Sequence, residues 1–287
     1  MSTVPLATQP NPAASTPPAG YSHAVPTRST LGAAIVSEWT KMRSVRSTVW
    51  ALILTSGFTI GLGALFCWAY LNRRQERGDG AVRGLFFDAA AHSLRGVVLA
   101  QLAVGVLGVL VMSSEYTTGM IRTSLAAVPS RRTLLVAKTI VLGGAALVVS
   151  MVSVFIAFGI GQAILHRDHL GTSLGSPSVL RAVLGAGLFL TLIALLGLSL
   201  GTIVRRTPGA IATLFGIVLI LPLLAQALPA PWDVRIARLA PLNAGQAMFS
   251  VRYDPDLLTP TKGLLVFLVW IVVSYVLALV LLSRRDA

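Results

Sequence analysis

Apolar residues gather in six long runs, at 49–70, 96–112, 139–165, 183–204, 210–228 and 263–282, with polar and basic segments between them. Each run holds 17 to 27 residues, close to the ~20 helical residues that cross a ~30 Å hydrocarbon core. The pattern predicts six transmembrane helices, and an even number of crossings puts both ends of the chain on one side. Ahead of the first run, Leu31, Ile35, Trp39 and Met42 recur at helical spacing, Ser29 and Thr30 can cap, and Glu38 and Lys41 face elsewhere. This predicts an amphipathic helix over 29–48 whose end is marked by Lys41, Arg43 and Arg46. Because the first span follows at once, two arrangements are open. We expect an interfacial helix with Trp39 at headgroup depth; a plain helical extension of the span is the alternative.

Composition turns this pattern into a class. The chain is 55% hydrophobic and 11% charged, with a mean hydropathy of +0.79, whereas soluble domains carry about 25% charged residues. A soluble domain is excluded, and the fold class expected is all-α: a polytopic integral membrane protein with six transmembrane helices and an N-terminal amphipathic interfacial helix. The organisation read from the chain is a disordered tail at 1–28, rich in Pro, Ser and Thr, the interfacial helix at 29–48, and a six-span transmembrane domain at 49–287. The tail lacks the basic start and apolar stretch of a cleavable signal, so the first span is expected to direct insertion.

The net charge of +13 does not point to nucleic acid, because the basic residues sit in short clusters beside the apolar runs. There they meet anionic headgroups and fix orientation. Eleven basic residues fall on the side of the termini and eleven opposite, but the first set occupies 56 residues and the second 76. Density therefore favours cytoplasmic termini in the plasma membrane. The loop carrying Arg73, Arg74, Arg77, Arg83 and Arg95 argues the other way, with Glu76, Asp79 and Asp88 available to pair locally.

Little in the chain points to catalysis. No phosphate loop, G-x-S-x-G elbow or H-E-x-x-H helix occurs. The single cysteine, Cys67, rules out an intrachain disulfide or a cysteine metal cluster, and His166 and His169 flank Asp168 in a loop without making a convincing metal site. No Asp or Glu falls inside the six runs, which argues against a transporter driven by an ion gradient. Gln101, Gln162 and Gln226 are read as interhelical hydrogen bonders, the glycines at 105, 108, 143, 144, 197 and 201 as close-packing residues, and Pro222 as a kink in the fifth span.

The segment after the second run is the most informative. Thr117 or Thr118 can cap a short helix over 117–127, with Met120, Ile121 and Leu125 on an apolar face, ended by Pro129 before Arg131 and Arg132. Such a helix suits a partner's groove, although any membrane loop can contain a helical turn.

In this stretch the order Glu115, Gly119, Arg122, Pro129, Arg131, Lys138 resembles the permease subunits of type-2 ATP-binding-cassette (ABC) exporters. The resemblance extends to Glu38-Trp39-Thr40-Lys41-Met42-Arg43-Ser44 before the first span, and to the segment from Leu239 to Ala247, with Pro241, Asn243 and Gly245, before the last. It implies that two permease subunits pair, as a homodimer or heterodimer, and that the helix after the second span couples to a separately encoded cytoplasmic ATPase. That partner would carry ATP and Mg, and this chain would bind no cofactor. Glu115 would anchor the coupling helix's entry, Arg131 and Arg132 its exit, and the segment around Pro241, Asn243 and Gly245 an outer gate. The cargo is not legible, because apolar faces suit many substrates. A membrane scaffold without transport activity and a secondary transporter are the rival classes.

Overall fold

A computed structural model describes residues 30–77, 87–128, 130–252 and 256–284, except the side chains of 75–77. Six of its helices are long and apolar enough to cross a membrane: Arg46–Arg74, Val97–Thr117, Arg131–Asp168, Pro177–Val204, Thr207–Ala225 and Pro260–Arg284. The elements, in chain order, are α1 (Leu31–Ser44), α2 (Arg46–Gly57), a π turn (Phe58–Leu62) and α3 (Gly63–Arg77), then α4 (Ala89–Ser93), α5 (Val97–Thr117), α6 (Met120–Ala127) and α7 (Arg131–Leu165). They continue with α8 (Pro177–Val204), α9 (Thr207–Phe215), a second π turn (Gly216–Ile220), α10 (Leu221–Ala225), α11 (Trp232–Leu239), α12 (Pro241–Phe249) and α13 (Pro260–Arg284). The chain is therefore an all-α, multi-pass membrane protein.

Several helices overrun the apolar runs that announced them. α5 continues past Met112 to Thr117, and α7 begins at Arg131, not 139. Their limits are set by backbone geometry: Gly119, at φ 71°, takes the left-handed conformation that follows a helix end, and the Ser130 hydroxyl accepts the Thr133 N–H at 3.4 Å to start α7. Thr117 and Thr118 do not cap α6, contrary to expectation; their hydroxyls bond back to Ser114 O, at 3.0 and 2.7 Å, closing the end of α5. At the chain's start Thr30 caps α1, and Val45 is extended between α1 and α2. The first span is thus not a plain extension of α1.

Pro222, which lacks an N–H, follows a π turn in the fifth span, and the helix stops at Ala225, leaving Gln226 outside the span. At the centre lies α8, 78% buried over its most apolar window, against 17% for the first and sixth spans. α5 meets it backbone to backbone, since a Cβ at Gly108 would overlap Ala194 O, one at Gly197 would overlap Gly105 O, and one at Gly201 would stand 2.7 Å from Val109 O. Gly143 and Gly144 differ from those glycines: a Cβ at Gly144 would meet nothing within 4 Å.

The topology gives the bundle two distinct ends. At one, α1, the α5–α6–α7 connection, the α8–α9 turn and the end of α13 converge: Arg131 Nη1 donates to Leu282 O at 2.8 Å, Thr207 donates to the Ser113 hydroxyl at 2.9 Å, and the Arg205 guanidinium lies 5.1 Å from the Tyr116 ring centroid. At the other, α4, the end of α7, α11 and α12 gather. Segments placed together on the terminal side by the even number of crossings do lie together. The tail at 1–28 lies outside the described residues.

Candidate functional site: a buried charge cluster beneath a short helix

Four ionisable side chains from three helices meet at the first of these ends. Glu38 and Lys41, one turn apart on α1, meet Glu115 from the last turn of α5 and Lys138 from the third turn of α7. The Lys138 ammonium lies 2.7 Å from Glu38 Oε2 and 2.7 Å from Glu115 Oε1. Lys41 Nζ lies 2.8 Å from Glu38 Oε1 and 3.2 Å from Glu115 Oε1, and it donates to the Ser124 hydroxyl of α6 at 2.9 Å. Lys138, Glu38 and Glu115 are 2%, 5% and 6% exposed, so three of the four are out of solvent.

A charge this deep persists only when paired, because desolvating an ion costs several kcal/mol. Two carboxylates and two ammonium groups cancel, and each carboxylate touches both lysines. Burial acts to lower the Lys41 pKa, but the hydrogen bond to Glu38 and the Glu115 charge outweigh it and hold the ammonium above its ordinary 10.5. One acceptor is left over: among the described residues Glu115 Oε2 has no partner. It borders a cavity of about 290 Å³ lined also by Glu38, Lys41, Ser114, Thr118 and Lys138. Because both carboxylates are neutralised, the cluster is poorly suited to a metal ion; groups of three or more His, Cys, Asp or Glu that could hold one do not occur among the described residues.

The sequence pattern expected Glu38 and Lys41 to face away from the packed side of α1. They face into the bundle. Ala34, Glu38 and Met42 form the buried ridge, whereas Leu31 and Trp39 are exposed and Ile35 is half-buried. A ridge at four-residue spacing with a charge in its middle seats well only because Lys138 waits opposite. Arg43 lies exposed outside the cluster.

α6 sits over the cluster and is two-faced. Ile121 and Ser124 are buried and Leu125 packs against the core, so only part of the expected apolar face looks outward. Met120, Arg122, Thr123, Ala126 and Ala127 are exposed. Arg131 is tied to α13, and Arg132 is exposed at the start of α7. Pro129 lies outside the described residues.

The residues expected at an outer gate stand at the opposite end, far along the bundle from the cluster. Two short helices, α11 and α12, link the fifth and sixth spans. Pro241 opens α12, Asn243 Nδ2 donates to Ala237 O at 2.9 Å across the α11–α12 corner, and a Cβ at Gly245 would overlap the Phe189 ring. Gln162 is also here, bonding between elements as expected: its Nε2 donates to Ser93 Oγ at 3.1 Å, and its Oε1 accepts the Thr172 N–H at 2.6 Å. His92 packs at a tilt against the Tyr70 and Phe87 rings, and burial moves its pKa below the ordinary 6.5.

Lys138 is the site residue that sequence reasoning undervalued. A signal was present: a lone lysine inside Leu134-Leu135-Val136-Ala137-Lys138-Thr139-Ile140-Val141 demands a buried counter-charge. The model of a family described as ABC-2 family transporter protein matches residues 34–229, which takes in the whole cluster and α6. Among curated proteins none matches the chain.

Proposed function

This chain belongs to the ABC-2 family of transporter membrane proteins, and from that premise we propose that it is the permease subunit of an ATP-driven exporter, joined through α6 to a separately encoded cytoplasmic ATPase. A second permease subunit completes the substrate path, both termini lie in the cytoplasm, and the cell membrane is the site of action. α1 lies along the membrane interface. The segment containing Pro241, Asn243 and Gly245 serves as the outer gate. ATP and Mg bind to the partner, and this chain is not itself an enzyme.

The observation that carries the proposal is the division of α6 into an exposed face and a face wired to the cluster. Met120, Arg122 and Thr123 offer a small mixed surface to a groove. On the buried face, Ser124 accepts from Lys41, which contacts Glu38 and Glu115, and both of these contact Lys138. Force applied to α6 by a closing ATPase dimer passes through the Ser124–Lys41 hydrogen bond and reaches α1, α5 and α7 through ionic contacts that resist separation. A shift between cargo-binding and cargo-releasing states then follows from different contacts of the ATPase in its two nucleotide states.

Co-purification with a phosphate-loop ATPase, which this reading expects to be encoded nearby, tests it. The double variant Met120→Asp with Arg122→Glu alters only exposed positions and leaves the cluster intact. Complex formation by the wild type and its loss in the variant is the expected result. Failure of the wild-type chain to bind any phosphate-loop ATPase would favour a membrane scaffold without transport activity.

A further inference from the structure

On the outer side of α1 the elbow at Val45 leaves a cleft of about 400 Å³ between α1, the start of α2 and the middle of α7. Its walls are apolar, with Leu52, Gly144, Val148 and Val149 among them, and Trp39 and Arg43 stand on its α1 side. Gly144 leaves its floor open, and Val148 is exposed. The polar groups at the α1 side are unspent. Among the described residues neither the Arg43 guanidinium nor the Trp39 indole N–H has a hydrogen-bond or ion-pair partner, and the acid nearest on α1, Glu38, has both oxygens committed to Lys41 and Lys138. An exposed basic residue and an exposed indole therefore border the α1 side of an apolar trough.

We propose that this cleft is a binding site for one anionic phospholipid, its phosphate on Arg43 and the Trp39 indole and an acyl chain lying along Gly144 and Val148. The chemistry of the two halves matches that of the ligand: an aromatic donor and a basic residue suit the headgroup layer, and an apolar groove suits the chain below it. The lipid wedges the α1–α2 elbow against α7 on the face opposite the charge cluster, and Met42 and Thr48 border both cavities. The assignment rests on the interfacial placement of α1 and does not depend on the ATPase partnership, so loss of the ATPase complex would leave it standing.

The test uses the purified full chain, stripped of lipid and titrated with dioleoyl phosphatidylglycerol or dioleoyl phosphatidylcholine, with bound lipid counted by native mass spectrometry. The wild type is expected to retain one phosphatidylglycerol about fivefold more tightly than phosphatidylcholine, the preference one basic residue confers. Arg43→Gln should erase the preference. Gly144→Leu, placed where nothing lies within 4 Å, should fill the trough and remove the tight lipid, while Gly144→Ala keeps it. If Gly144→Leu does not fold, Val148→Trp on the exposed wall carries the same expectation. Equal retention of the two lipids by the wild type, or undiminished binding by the filled variants, would overturn the proposal. So would tight binding of glycerol 3-phosphate alone, which would mark a site for free phosphate.

Discussion

The two ends of the bundle solve one problem, the joining of a short segment to long helices, with opposite chemistry. Beneath α6 the joint is ionic: two carboxylates and two ammonium groups bring α1, α5 and α7 together, with the Ser124 hydroxyl linking α6. Around α4 the described contacts are hydrogen bonds and ring contacts in place of ion pairs. Gln162 bridges Ser93 and the Thr172 backbone, Asp88 Oδ1 accepts the Ala91 N–H at 2.9 Å, and Tyr70 stacks on Phe87 at 4.2 Å between centroids. Such hydrogen bonds hold position at modest cost when broken. A balanced buried cluster costs much to break at one member, which makes its elements move together or not at all.

The contrast predicts unequal responses to single changes. Lys138→Met strands Glu38 and Glu115 with one partly exposed lysine between them and should cost about 3–5 kcal/mol, read as a large drop in thermal stability in detergent. Adding Glu115→Gln should return much of that loss; no recovery would mean that the lysine acts through packing and not charge. At the α4 end Gln162→Leu leaves the Thr172 N–H without its acceptor and should cost about 1–3 kcal/mol. A loss equal to that of Lys138→Met would erase the distinction between the ends.

The smallest effect is pH-dependent and confined to the α4 end. Burial lowers the His92 pKa below 6.5, so the folded chain binds fewer protons there than the unfolded chain. Its contribution is present above pH 6.5 and declines as the pH falls through the lowered value. Melting curves between pH 7.5 and 5 should show a downward drift that His92→Phe reduces, because phenylalanine keeps a ring packed against Tyr70 and Phe87 without titrating.

The six spans were legible because continuous apolar runs are what a hydrocarbon core demands of a helix, and the glycines of α5 and α8 marked the closest helix contact correctly. Helix ends were less so: hydropathy records where lipid contact stops, while the ends of α5 and α7 depend on Gly119 and Ser130. Drawing the second span to 112 and the third from 139 also put Glu115 and Lys138 in a loop, and this hid the pair. For α1 the spacing of Leu31, Ile35 and Trp39 was real, but in a membrane protein apolar residues can face outward while a paired charge turns inward. The orientation of Glu38 and Lys41 was not decidable without Lys138 as the counter-charge. The short helix after the second span was legible as an element; the face it presents outward was not, because Ile121 and Ser124 are buried by contacts distant in sequence.

The contacts through Ser124 and Lys41 require α6 and α1 to move as one body. This joint motion is tested by spin-label distances in the permease–ATPase complex, using a Cys67→Ala background with labels at Ala127→Cys at the end of α6, Thr40→Cys on α1 and Ser173→Cys at the opposite end. On adding ATP, the α6–α1 distance should stay constant while the α6 distance to position 173 changes. A change between α6 and α1 comparable to that between α6 and position 173 would show that α6 moves independently of α1.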